Sequence, residues 1–230
     1  MTTTLITGAN KGLGFETARQ LLAAGHTVYL GSRDAGRGRA AAAKLGAVPL
    51  VLDITDDASV AAAAETVAAA GGLDVLVNNA AIAGPITGVG EVTGPIMRDV
   101  FDTNVFGVVR VMHAFLPLLE KSPAPVVVNV SSGLGSIDRS VDPRTLESRV
   151  PALAYGSSKS AVNMLTVRYA QAYPAMRINC VDPGYTATDL NGNQGHQTVE
   201  QGAEIIVRSA LLGPDGTTGA FLAAGGDVPW

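Results

Sequence analysis

Apolar and polar positions along this chain are segregated by segment rather than residue by residue. Six short runs, each bounded by turn residues, are apolar almost throughout: TTLIT (3–7), TVYLG (27–31), VPLVL (48–52), LDVLV (73–77), PVVVNVS (125–131) and RINCV (177–181). Continuous runs of this length are expected of parallel strands covered on both faces, whereas a half-exposed strand would alternate. Between them, stretches with helical character predict helices at 12–24, 35–45, 56–70, 95–120, 152–172 and 198–212. The order strand, helix, strand, repeated without a linker or composition shift, predicts an α/β fold in one domain spanning 1–230, built by right-handed crossovers. The alanine-rich stretches AAAAKL and AAAAETVAAAG fit this as helices packed at the surface.

The segments that interrupt the pattern carry the chemistry. TGANKGLG (7–14) follows the first strand directly and opens the first helix. Glycines in that setting let main-chain amides approach a pyrophosphate at the positive end of a helix. Gly8, Gly12 and Gly14, with Asn10, Lys11 and Leu13 between them, therefore read as a cofactor cradle, against the plainer reading of a tight turn. With it, the expected fold becomes a Rossmann-type doubly wound parallel sheet with helices on both faces. Far downstream, Tyr155 and Lys159 stand four residues apart on a predicted helix and share one of its faces. A phenol with an ordinary pKa near 10 is a poor base at neutral pH, and a neighbouring cation favours its anion. VNVSSG brings two serines to the end of the fifth strand, where a hydroxyl can stabilise charge on a substrate oxygen. Asn104 lies beside the apolar stripe of Phe101, Val105, Val108, Met112 and Phe115 and needs a partner if buried.

The glycine spacing is TGxxxGxG rather than GxGxxG, and in this it resembles the short-chain dehydrogenase/reductase family. The remaining landmarks of that family follow in order over essentially the whole chain: Asp53-Ile54-Thr55 after the third strand, NNAA (78–81) after the fourth, Asn104, Ser132, YGSSK (155–159) and PGYTAT (183–188). The resemblance implies that Tyr155 donates a proton when a carbonyl is reduced and accepts it in reverse. Lys159 is implied to lower the tyrosine pKa and to hold the nicotinamide ribose. By the same resemblance Ser132, not Ser131, polarises the substrate, and Asn104 relays protons through a water near the lysine. A purely structural amide bonding to neighbouring backbone is the other reading of Asn104. Asp53 and Ile54 are implied at the adenine end, with Asn79, Ala80 and Ala81 under the cofactor. Pro183, Gly184, Thr186 and Thr188 are implied beside the nicotinamide.

Charge bears on which cofactor. Where NAD-specific members of such a fold place an acid after the second strand, this chain has Ser32 followed by Arg33, a guanidinium suited to a 2′-phosphate, and Asp34 comes one position late. Lys11 is a second cation where members preferring NADPH carry one. The expectation is NADPH (NADP+) over NADH and reduction of a ketone or aldehyde. An NAD-linked alcohol dehydrogenase running oxidatively and a non-catalytic dinucleotide-binding regulator are the alternatives. TGANKGLGFETARQL and the closing GAEIIVRSALLGPDGTTGAFLAAGGDVPW resemble the NADPH-dependent carbonyl reductase branch. The insertion those monomeric reductases carry before the tyrosine is shorter here, with 22 residues between Ser132 and Tyr155, which leaves monomer and homo-oligomer both open.

Composition adds exclusions. With 47% hydrophobic and 16% charged residues the chain is expected to pack as a globule, and a net charge of −4 gives no general attraction to nucleic acid or anionic membrane. No apolar run reaches transmembrane length. One cysteine, Cys180, and the scattered histidines His26, His113 and His196 predict no metal site. GxSxG is absent, which argues against a hydrolase of that type. The expected location is the cytoplasm and the expected partner a small carbonyl or alcohol substrate. The irregular stretches 82–92, 133–150 and 186–198 are expected to shape the substrate pocket, with 186–198 as a short loop closing over it.

Overall fold

The computed structural model describes residues 2–230. Eight strands form one sheet in the order β3-β2-β1-β4-β5-β6-β7-β8, with every pair parallel except β7–β8. They are β1 Thr3–Ile6, β2 Thr27–Ser32, β3 Val48–Val51, β4 Val75–Asn78, β5 Val126–Val130, β6 Arg177–Asp182, β7 Phe221–Ala223 and β8 Gly226–Asp227. The strand order reverses between β1 and β4, where a crevice opens at the carboxyl ends of the strands.

Each strand sends successive side chains to opposite faces. Leu5, Tyr29, Leu76, Val127 and Ile178 join one buried cluster, and Ile6, Val28, Leu30, Val77, Val128 and Val181 the other. The first cluster is closed by residues of α3 (Asp57–Ala69), α5 (Gly107–Leu119) and α7 (Leu153–Ala172), the second by α1 (Gly12–Ala23), α2 (Ala35–Leu45) and α8 (Val199–Ala210). Three helices a side is the reason the strand runs are continuously apolar. β3 is the exception: it is the edge strand, Val48 and Val51 are exposed, and Pro49 sits where the edge tolerates a missing donor.

Helix boundaries follow their local chemistry. Asp34 and Asp56 cap α2 and α3 by accepting from Arg37 N and Ala58 N, and Gly46 ends α2 with φ 74°. Thr198 and Gln201 form a capping box on α8. The helix expected at 95–120 is divided: α4 (Gly94–Phe101) passes through a π-helical turn at Asp102–Phe106 before α5. Such a turn inserts a residue and redirects the side chains around it, and Asn104 lies in it. Among the strands and α-helices, three had no counterpart in the hydropathy reading: β7, β8 and the short α6 (Ile137–Val141) inside the stretch 133–150. β7 and β8 contain only 3 and 2 residues, too few to show a period.

Candidate active site

The landmark segments converge because each follows the carboxyl end of a strand. Thr7–Gly14 leaves β1, Ser32-Arg33 ends β2, Asp53-Ile54 follows β3, Asn79–Ala81 follows β4, Ser131-Ser132 follows β5 and Pro183-Gly184 follows β6.

The glycine loop is shaped by close approach. Gly8 and Gly12 have φ of 63° and 56°, a conformation L side chains rarely adopt. A Cβ on Gly14 would stand 2.5 Å from Asn79 Nδ2 and 2.9 Å from Ala9 Cα, and one on Gly8 would stand 2.9 Å from Ala80 Cα. Asn79 donates through Nδ2 to Thr7 O at 2.9 Å and Gly8 O at 3.2 Å, while Thr7 Oγ1 accepts from the backbone of Asn79 and Ala80. Asn79 and Ala80 thus fasten the loop from beneath. Unlike α2, α3 and α8, α1 has no side-chain cap at its start, and its first turn holds no acid. Its free first-turn amides, the glycine cradle and Lys11 fit an anionic dinucleotide.

On the other side of the crevice, Lys159 is 3% exposed and donates to Val130 O at 2.8 Å, with Nζ 5.4 Å from the centre of the Tyr155 ring. Burial lowers its pKa to about 8. Burial also pushes the Tyr155 phenol well above its ordinary value, Asp182 adds to this, and a hydrogen bond with Ser132 opposes it. The phenol thus stands above its ordinary value when only the chain's own groups act. The two serines separate: Ser131 is 2% exposed and spends its hydroxyl on Asn163 Oδ1 at 2.5 Å, whereas Ser132 meets the phenol. Asn104 Oδ1 accepts from Ile82 N, and its Nδ2 donates to Ile82 O at 2.9 Å and Ser158 Oγ at 3.0 Å. These bonds tie the main chain at Ile82 to Ser158 near the start of α7.

The family model described as short chain dehydrogenase matches residues 2–199. The chain belongs to the short-chain dehydrogenase/reductase family. It is 36% identical to "Short-chain dehydrogenase/reductase 1" of Saponaria officinalis, over 94% of this chain and 92% of that one. It is 33% identical to "(-)-isopiperitenone reductase" of Mentha piperita, over 94% of each. The structure of NADPH-bound carbonyl reductase from chicken fatty liver superposes with a TM-score of 0.87 at 29% identity, covering 100% of this chain and 99% of that one. As a short-chain dehydrogenase/reductase the protein is an NAD(P)-dependent oxidoreductase working between carbonyls and alcohols.

Other residues that the sequence assigned to this short-chain dehydrogenase's cofactor have partners of their own. Lys11 pairs with Asp189 at 2.7 Å, both well exposed, joining the glycine loop to the stretch 186–198. Ser32 is buried and donates to Asp34 O, Arg33 is exposed, and Asp34 is spent as the α2 cap. Asp53 Oδ1 accepts from Thr55 N and Oγ1, which together hold its carboxyl below the usual range. The Ile54 side chain is buried in the core, and a Cβ on Gly107 would meet it at 2.7 Å, so what Ile54 offers a cofactor is main chain. Gly184 has φ 73°, Thr186 Oγ1 donates to Pro183 O, and Thr188 N donates to Asn191 Oδ1. Thr188 Cγ2 lies 3.7 Å from where a Gly12 Cβ would be, so 186–198 leans over the glycine loop. Tyr185 and His196 meet edge-on along it, their ring centres 5.8 Å apart.

Sequence reasoning passed over Thr7, Arg139, Glu147 and Asp182. Thr7 lay within the quoted glycine segment and Asp182 just before PGYTAT, but nothing in the pattern signalled what each would face. Among the described residues no three His, Cys, Asp or Glu side chains cluster as a metal site, and no helix is long and apolar enough to cross a membrane.

Proposed function

We propose that the protein is an NADPH-dependent reductase of a ketone or aldehyde. The observation that carries this reading is the grouping of Ser132, Tyr155 and Lys159 at the ends of β5 and α7, across the crevice from a glycine loop bearing Lys11. Gly8, Asn10, Lys11, Gly12, Leu13 and Gly14 receive the pyrophosphate, and Ser32, Arg33 and Lys11 the 2′-phosphate. Asp53 and Ile54 flank the adenine. Asn79, Ala80 and Ala81 floor the site, and Pro183, Gly184, Thr186 and Thr188 hold the carboxamide side. When bound, the nicotinamide supplies the hydride. Ser132 donates a hydrogen bond to the substrate oxygen and stabilises the charge that develops there. Tyr155 delivers its phenolic proton to that oxygen. At neutral pH the phenol holds the proton it is to deliver. Lys159 reaches the ribose, and Asn104 holds the helix that carries both. The relatives named as reductases, and the NADPH-bound carbonyl reductase, support this direction and cofactor.

The reading extends to a cytoplasmic location and to a small carbonyl substrate shaped by 82–92, 133–150 and 186–198. The test is oxidation of NADPH and NADH followed at 340 nm against aldehydes, ketones, quinones and steroids. Turnover with NADPH exceeding that with NADH by at least about tenfold is expected. NADH preference would shift the reading to an NAD-linked dehydrogenase, and binding without turnover across the panel would reduce the protein to a dinucleotide-binding regulator.

A further inference from the structure

The stretch between Ser132 and Tyr155 is held as a wall rather than left as an open loop. Ser136 Oγ accepts from Arg139 N and donates to Pro229 O at 2.6 Å, and Asp138 N donates to Trp230 O at 3.0 Å. Trp230 in turn stacks on Phe221 of β7. At the centre of this wall, Arg139 Nη1 lies 3.1 Å from both Glu147 Oε1 and Asp182 Oδ2. The three side chains are 29%, 18% and 10% exposed. All three press on the main chain next to Ser132: a Cβ on Gly133 would collide with Glu147 Oε1 and stand 3.0 Å from Arg139 Nη1 and 3.1 Å from Asp182 Oδ2. Asp182 is anchored a second time, accepting from Gly184 N at 3.0 Å through Oδ1.

We propose that Arg139 is a positioning residue of the reaction: it clamps the carboxylates of Asp182 and Glu147 over Gly133, and so sets where Ser132 stands and how much negative charge faces Tyr155. The proposal rests on the reading of Tyr155 as the proton donor. Three elements present groups to that phenol: Lys159 from its own helix, Ser132 from the end of β5 and Asp182 from the end of β6. Asp182 opposes the phenolate, and the only guanidinium paired with Asp182 among the described residues is that of Arg139. Two carboxylates share that one guanidinium, so removing it leaves both uncompensated at a poorly solvated place, whereas removing the Asp182 charge leaves Arg139 still paired with Glu147. The two changes should act on Tyr155 with opposite sign.

The experiment is the pH profile of kcat/KM for alcohol oxidation with NADP+, where activity rises as Tyr155 loses its proton. Arg139→Gln is expected to lower kcat about tenfold and to move the rising limb up by about one pH unit. Asp182→Asn moves the limb down. Arg139→Gln combined with Asp182→Asn, a neutral pair that can still hydrogen-bond, brings the limb back near the wild-type position, as expected of directly coupled residues. Arg139→Lys, which keeps the charge but not the forked geometry, leaves the limb in place while lowering kcat/KM; it and Asp182→Asn keep the test open should Arg139→Gln not fold. A limb that stays put in Arg139→Gln and Asp182→Asn, in a wild type that turns over, overturns this proposal alone. A wild type without turnover on either cofactor overturns the proposed function, and this inference with it.

Discussion

The two walls of the crevice are built from different materials. The glycine side is main chain: left-handed glycines, free helix amides and an asparagine that ties one backbone to another. Its charges, Lys11 and Arg33, stand in solvent, where an ion pair such as Lys11–Asp189 contributes little to stability. The reacting side is made of ionisable side chains: Lys159 and Asp182, both buried, and the partly buried Tyr155, with desolvation lowering the Lys159 pKa and, together with the Asp182 charge, raising that of the phenol. A wall of main chain tolerates changes of charge and fails on changes of volume. A wall of buried charge fails on changes of charge.

Four substitutions probe that contrast. The largest effect is expected on the reacting side: Tyr155→Phe removes the proton with almost no change of volume, so kcat should fall by about 10³-fold while NADPH still binds, as measured by steady-state turnover and fluorescence titration. Near-normal turnover would remove Tyr155 from the mechanism. Gly14→Ala attacks the other wall by volume alone. Its Cβ has no room against Asn79 and Ala9, so a loss of about 2–3 kcal/mol in urea unfolding and weaker binding of both cofactors are expected.

Lys159→Met sharpens the electrostatic half through pH. The lysine titrates near 8 in the fold and near 10.4 when unfolded. Below pH 8 both states hold the proton and the wild type carries the full cost of a buried ammonium. From 8 upward the native state releases it first, so wild-type stability rises relative to the variant. The stability difference should move in favour of the wild type by about 2 kcal/mol between pH 7 and 9.5. A difference that is flat with pH would mean the amine is not held charged against its burial. The smallest effect belongs to the exposed cation: Arg33→Ala should weaken NADPH by about tenfold, some 1.4 kcal/mol, and NADH by much less. Equal loss for both would detach Arg33 from the 2′-phosphate.

Legibility divides along the same line. The glycine cradle could be read because its requirements are local: a strand, a loop that must pass close to its neighbours, and a helix that follows at once. Ser132 over Ser131 rested on family register, and the neighbours of the two hydroxyls now separate them, Asn163 for one and Tyr155 for the other. Asn104 was noticed as a polar residue beside an apolar stripe, but its partners, Ile82 and Ser158, lie 22 and 54 positions away. Nor does spacing announce the π-helical turn that aims it, because one inserted residue barely disturbs an apolar period.

Six apolar runs, the helices between them and one glycine spacing were enough to establish a doubly wound parallel sheet and the segments that meet at its carboxyl edge, since hydropathy period and main-chain sterics act over a few neighbouring residues. Whether the phenol is pushed up or down, which carboxylates share Arg139, and that 186–198 reaches back to Lys11 were decided by the folded chain alone. Those are long-range electrostatic and packing relations, and their sign depends on burial and on neighbours brought together from distant strands.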